Sequence, residues 1–247
     1  MRIPRLITVC AVGCAVVLFV GCTTSAKSPS TSSASPTAQS SSSAAPSSAA
    51  PAPLAQLKKI VLQPEDLHAG WKGTPASPDD ASDAANQAAL AKCVGVRNTD
   101  PDKVADANSP DFALGDASIS SSATSFPSQS DLDVDIALVH SAKLGPCLDR
   151  QAKGLFAKSL PAGTKVDSVS SKFTAGSGGG PSNVVGSGVT TVKLTASGQH
   201  VVLYLTVAFI TGPLIEAEVD TQSVGKPFPA SLVKAAVSAV ANRAAKG

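Results

Sequence analysis

The side chains able to do chemistry are few, and five cysteines lead them. Cys22 ends the segment Leu18-Phe19-Val20-Gly21-Cys22, which has the form of a lipobox. Its thiol would accept a diacylglyceryl group, and the small Gly21 would let a signal peptidase reach the preceding bond. Ahead of it stand Arg2 and Arg5, then an uncharged run from Leu6 to Gly21. That run is short for a spanning helix and suits the apolar core of a signal peptide. A rival box at Ala11-Val12-Gly13-Cys14 leaves only about seven apolar residues before the cut. Cys10 and Cys14 would depart with the leader. Cys93 and Cys147 then remain as an even pair in an oxidising compartment, which predicts a structural disulfide. A redox or metal pair would need a C-x-x-C spacing or a histidine at ligand distance, and neither is present.

The other candidates point away from catalysis. No G-x-S-x-G, H-E-x-x-H, P-loop or G-x-G-x-x-G motif occurs. His68, His140 and His200 have no companions at metal-ligand spacing, and His140 reads as a packed or capping residue. Asp131, Asp133 and Asp135 begin like a calcium loop. Ile136 then stands where glycine is required and Ala142 where glutamate is required, so a solvated first helical turn is the expectation. Glu216 and Glu218 read as solvated carboxylates on one face of a strand. Trp71 reads as a core or hinge anchor. Gly176 to Gly180 lies between strands, with no helix N-terminus behind it, and reads as a mobile hairpin loop. No catalytic, cofactor-binding or metal-ligating residue is assigned, and the chain is expected not to be an enzyme.

Composition sets the frame for these residues. Thr23 to Pro53 is almost entirely Ser, Ala, Thr and Pro, too polar and too simple to offset its chain entropy by burial. As a coil it would reach about 30 Å, and roughly 100 Å at full stretch. Without Arg2 and Arg5 the chain balances 18 basic with 18 acidic side chains. A neutral chain without a basic run lacks the footprint of a nucleic-acid binder. One Trp and one Tyr leave little for stacking on bases or sugars. The organisation is therefore a signal peptide at 1–21, a lipidated Cys22 with a disordered tether at 22–53, and one domain at 54–247.

The elements that must position these groups follow from pattern. Helices are predicted over Leu54 to Val61 and over Asp79 to Cys93, where Asp79, Asp80 and Asp83 suit the N-terminal end. Another is capped by Ser128 or Ser130 and runs to about Ala142. A further helix opens at Pro146 and carries Cys147 toward Leu160. Strands are predicted at Ala117 to Phe126, Lys165 to Thr174, Val184 to Thr195, His200 to Ile210 and Leu214 to Asp220. Ala196-Ser197-Gly198-Gln199 reads as a hairpin turn. Val201 to Leu205 is apolar at both parities, which places this strand centrally, covered on both faces. Pro229 to Ala245 closes the chain as an amphipathic helix. The sum is an α+β fold: an antiparallel sheet of about four to five strands with helices packed mainly on one face.

The lipobox, the tether, the Ala-rich helices, the two-cysteine domain and Leu62-Gln63-Pro64-Glu65-Asp66-Leu67 resemble the small lipoproteins of the mycobacterial cell envelope. The helix-then-sheet order and a disulfide joining helices are similar to the extracellular sensor domain of a mycobacterial Ser/Thr kinase. The resemblance implies an extracytoplasmic protein held by lipid at the outer face of the cell membrane, and supplies no ligand residues. Two functions stay open: a carrier of an apolar or envelope-derived ligand in a crevice, or an interaction protein contacting another envelope component without a pocket. In the first, the central strand lines the crevice with Val202, Tyr204 and Ala208, or else with Leu203, Leu205 and Val207. Gly176 to Gly180 then bounds its mouth.

Overall fold

The computed structural model describes residues 50–76, 81–160 and 163–247. The expected signal peptide, Cys22, most of the expected tether, and Asp79 and Asp80 lie outside the described residues. Helices α1 (Leu54–Ile60), α2 (Ala81–Val94), α3 (Gln129–Val139), α4 (Leu144–Ser159) and α5 (Ala230–Ala244) fall close to the predicted spans, but α3 ends at Val139 and α4 opens at Leu144, ahead of Pro146. Ser128 caps α3 by accepting from the Asp131 N–H. Ala52 is already buried in the core, so the packed region begins slightly before Leu54.

Five long strands are likewise where expected: β4 (Ala117–Ser125), β5 (Thr164–Ala175), β6 (Val184–Ala196), β7 (Gln199–Gly212) and β8 (Ile215–Val224). The β6–β7 hairpin turns through Ser197 and Gly198 at φ 51° and 79°, the doubly positive geometry of a tight two-residue turn. The sheet is nonetheless larger than sequence pattern indicates. Three short strands, β1 (Lys72–Thr74), β2 (Ala105–Asn108) and β3 (Asp111–Leu114), bring it to eight: seven in the order β1-β3-β4-β8-β7-β6-β5, and β2 paired to β4 off that path. β2 and β3 share the outer edge of β4, with Ser109 between them donating to and accepting from the Ser121 backbone. Segments of three or four residues such as Ala105–Asn108 carry no readable period; β4 templates β2 and β3, and β3 templates β1.

The second correction concerns the layers. Helices cover both faces. Along β7, Ala208 and Ile210 pack with Ala217 and Val219 of β8 against α1 and α5. Their neighbours Val207 and Phe209 pack on the opposite face with Leu90 and Val94 of α2, Leu138 and Val139 of α3, and Leu144 and Leu148 of α4. The C-terminal helix thus lies across the sheet from the helices that carry the cysteines. Cys93 and Cys147 are joined as a disulfide, tying the end of α2 to the start of α4.

Glycines let the helix-bearing layers sit close to the sheet. A Cβ on Gly186 would fall 2.5 Å from Val139 Cγ1 of α3, and one on Gly212 would fall 2.1 Å from the Ala244 carbonyl oxygen. The second contact holds the C-terminal end of α5 on β7. Asn183 adds to it, its Nδ2 donating to the carbonyls of Thr211 and Ala241 at 2.9 and 3.0 Å. Arg243 completes the anchor: it donates to the Ile60 and Val61 carbonyls and forms a forked pair with Asp66 at 2.9 and 2.6 Å. Burial alone would raise the Asp66 carboxyl, but Arg243 and the Gln63 N–H outweigh it and hold it below its ordinary value.

Candidate functional site

A cleft of about 560 Å³ opens on the α5 face, within the range of small-molecule sites at about 300–1,000 Å³. Its floor is the surface of β6 and β7. Antiparallel register pairs Ser187 with Ala208, Val189 with Thr206, and Thr191 with Tyr204, so all six share one face. Five are small or β-branched, and that is why space remains beneath the helix. Tyr204 is the large exception, offering one hydroxyl beside apolar walls. Val233 and Val237 in the first turns of α5, with Pro227 and Phe228 before it, form one wall; Ser177 to Pro181 form the other. Val189 is 41% exposed although it sits in the middle of an interior strand.

The loop wall is set by backbone geometry. Gly178 and Gly179 have φ of 55° and 87°, a region that favours glycine, and a Cβ on either would meet nothing. Gly176 and Gly180 donate to the Val185 and Ser177 carbonyls at 2.8 Å. Behind Phe228 lies Trp71, ring centroids 5.8 Å apart, so the lone tryptophan anchors the cleft wall to the core.

The structure therefore brings Tyr204, Ala208 and the glycine loop together, adds Thr206 between the first two, and leaves Val202 outside the lining. Leu203, Leu205 and Val207 are buried and project from the opposite face. Sequence reasoning had no means of choosing between these two sets, because β7 is apolar at both parities. The partner strand held the signal: Ser187 and Thr191 against Gly188 and Val192.

A second cluster, expected to be solvated, is buried. Glu216 is 4% exposed, Glu218 2% and Asp135 3%. Glu216 and Glu218 pair across β8–β4 with Thr124 and Ser122, on the face away from the cleft. The Thr99 hydroxyl donates to Asp135, and Asp135 shares a hydrogen bond with Glu216. Burial pushes Glu216 up to about 8, reinforced by the carboxylates of Asp135 and Glu218. Asp135 is equally enclosed, with the Thr99 hydroxyl and Glu216 as its hydrogen-bond partners. Groups this enclosed cannot touch a substrate, as an acid or base must.

The histidines stay apart. His140 caps α3 and bonds the Val185 carbonyl at 2.9 Å; His200 and His68 are exposed. Among the described residues no three His, Cys, Asp or Glu side chains converge to hold a metal.

No protein-family model and no curated protein matches the chain. Among solved structures it is similar to the extracellular domain of PknH from Mycobacterium tuberculosis, at 11% identity and a TM-score of 0.41, over 80% of this chain and 98% of that one. At that level the likeness assigns neither family nor function.

Proposed function

We propose that the chain is a non-enzymatic envelope lipoprotein, held at the outer face of a membrane by lipid on Cys22, whose domain binds an apolar or envelope-derived ligand. The observation that carries the ligand reading is the cleft under α5, with a floor of small side chains and a half-exposed valine. Apolar surface in such a slot is stabilised when a ligand displaces the water, at about 25 cal/mol per Å² covered. Two or three acyl chains on Cys22 would hold the protein stably at the bilayer, at about 0.8 kcal/mol per buried CH₂. The Ser/Ala/Pro segment behind it would space the domain from the surface.

Mass spectrometry of protein taken from its own host tests both parts. The N-terminal peptide should begin at Cys22 and carry acyl mass, and the native protein should retain a small molecule. An unmodified N-terminus removes the anchor. A native protein that carries no ligand, and takes up none when offered apolar probes, leaves the interaction protein as the better reading.

A further inference from the structure

We infer that the occupant of the cleft is a single-chain amphipath with an anionic head, its chain lying along β6 and β7 and its head at Lys234. This rests on the reading that the cleft binds a ligand and adds the ligand's shape and charge.

Shape comes first. The floor follows β6 from Val184 to Thr191, roughly 20 Å at about 3.3 Å per residue. Across the strands it spans only β6 and β7, about 5 Å apart. A slot long in one direction and two strands wide suits one extended chain. Two chains side by side, or a fused ring system, would meet Phe228 and Val233 on one side and Pro181 on the other.

Charge comes second. Lys234, exposed on the second turn of α5, is the only charged residue among the described residues that line the cleft. Lys172 pairs with Val189 and Lys193 with Val202, so both stand on the floor's face of the sheet; Lys226 sits just before Pro227. None of the four is in an ion pair among the described residues. The acids are elsewhere. Glu216, Glu218 and Asp220 of β8 are on the opposite face by register, α5 has no acid in its first turn, and Asp167 lies at the hairpin end beside Thr195 and His200. An apolar slot rimmed by lysines favours a negative head and disfavours a positive one. The Tyr204, Thr191 and Thr206 hydroxyls add polar contacts along the floor.

The test uses the full-length protein and a neutral fluorescent probe, N-phenyl-1-naphthylamine, so that probe binding itself does not depend on head charge. Palmitate, palmitoyl-lysophosphatidylglycerol and hexadecyltrimethylammonium then compete, each below its micellar concentration. At least one anionic competitor should displace the probe at about tenfold lower concentration than the cation, as expected for a charge-assisted contact. Which of the two acts identifies the head as carboxylate or phosphate. Lys234→Glu should remove that preference, and Lys234→Arg should keep it. Equal displacement by all three heads, or a preference that survives Lys234→Glu, overturns the inference while the apolar site stands. Failure of the protein to bind the probe at all overturns both.

Discussion

The two faces of β7 are built from one sequence and end in opposite states. On the α2–α4 face, Leu203, Leu205, Val207 and Phe209 are all buried, and the disulfide clamps two of the covering helices together. On the α5 face, Tyr204 and Thr206 are half-buried over open space, and only Ala208 and Ile210 are sealed. Residue size accounts for the difference. Phe173 lies over Gly188 on the closed face, filling the space that a missing side chain leaves. On the open face Ser187, Thr191 and Thr206 are too short to meet a helix anchored at its far end by Gly212, Asn183 and Arg243. One face is packed for stability, and the other leaves room for a ligand.

Substitution at neighbouring positions is the sharpest way to break this contrast. Phe209 is fully enclosed, so Phe209→Ala should cost about 3–5 kcal/mol in chemical denaturation. Thr206→Ala, three residues before it on the open face, should cost under about 0.5 kcal/mol. Similar losses at both positions would mean that the two faces do not differ as described.

The buried carboxylates sharpen the contrast from the closed side. The fold keeps the Glu216 proton up to about pH 8, while the unfolded chain releases it near the ordinary value of 4.5. Between those limits the unfolded state binds fewer protons, so stability falls as pH rises. Melting temperature measured from pH 5 to 8 should decline. Glu216→Gln should flatten the decline and raise stability at pH 8, because an amide can still donate to Asp135. A pH profile that Glu216→Gln leaves unchanged would contradict the assignment.

The disulfide effect is comparable or smaller. Removing it with Cys93→Ser and Cys147→Ser should cost about 2–4 kcal/mol. Probe binding should survive, since the staple lies across the sheet from the cleft. The untreated, denatured protein should offer neither cysteine to iodoacetamide, and alkylation of both without reductant would refute the bridge.

Much of this was legible in the chain. β4 and β8 announced themselves by alternation, β7 by a run apolar at both parities, the Ser197-Gly198 turn by its residue types, and the cysteine pair by arithmetic. Ser128 was readable as a cap because its hydroxyl can meet the Asp131 N–H. The rest depended on tertiary context. β1, β2 and β3 are too short for a period and exist because β3 and β4 offer edges to pair with. Ile215-Glu216-Ala217-Glu218-Val219 alternates like a half-exposed strand, and only a sheet covered on both sides turns its polar face into a buried one. The parity of the cleft on β7 was hidden because both parities are apolar. Residue size on β6 decided it.

The central claim is that the open face of β6 and β7 binds a ligand. The most direct measurement is the binding of N-phenyl-1-naphthylamine to the wild-type protein and to Thr206→Trp, whose indole would fill the slot from the floor. The account predicts saturable fluorescence enhancement for the wild type and its loss in Thr206→Trp, with melting temperatures within a few degrees of each other. Enhancement of equal size and affinity in both proteins would place the probe elsewhere and contradict it.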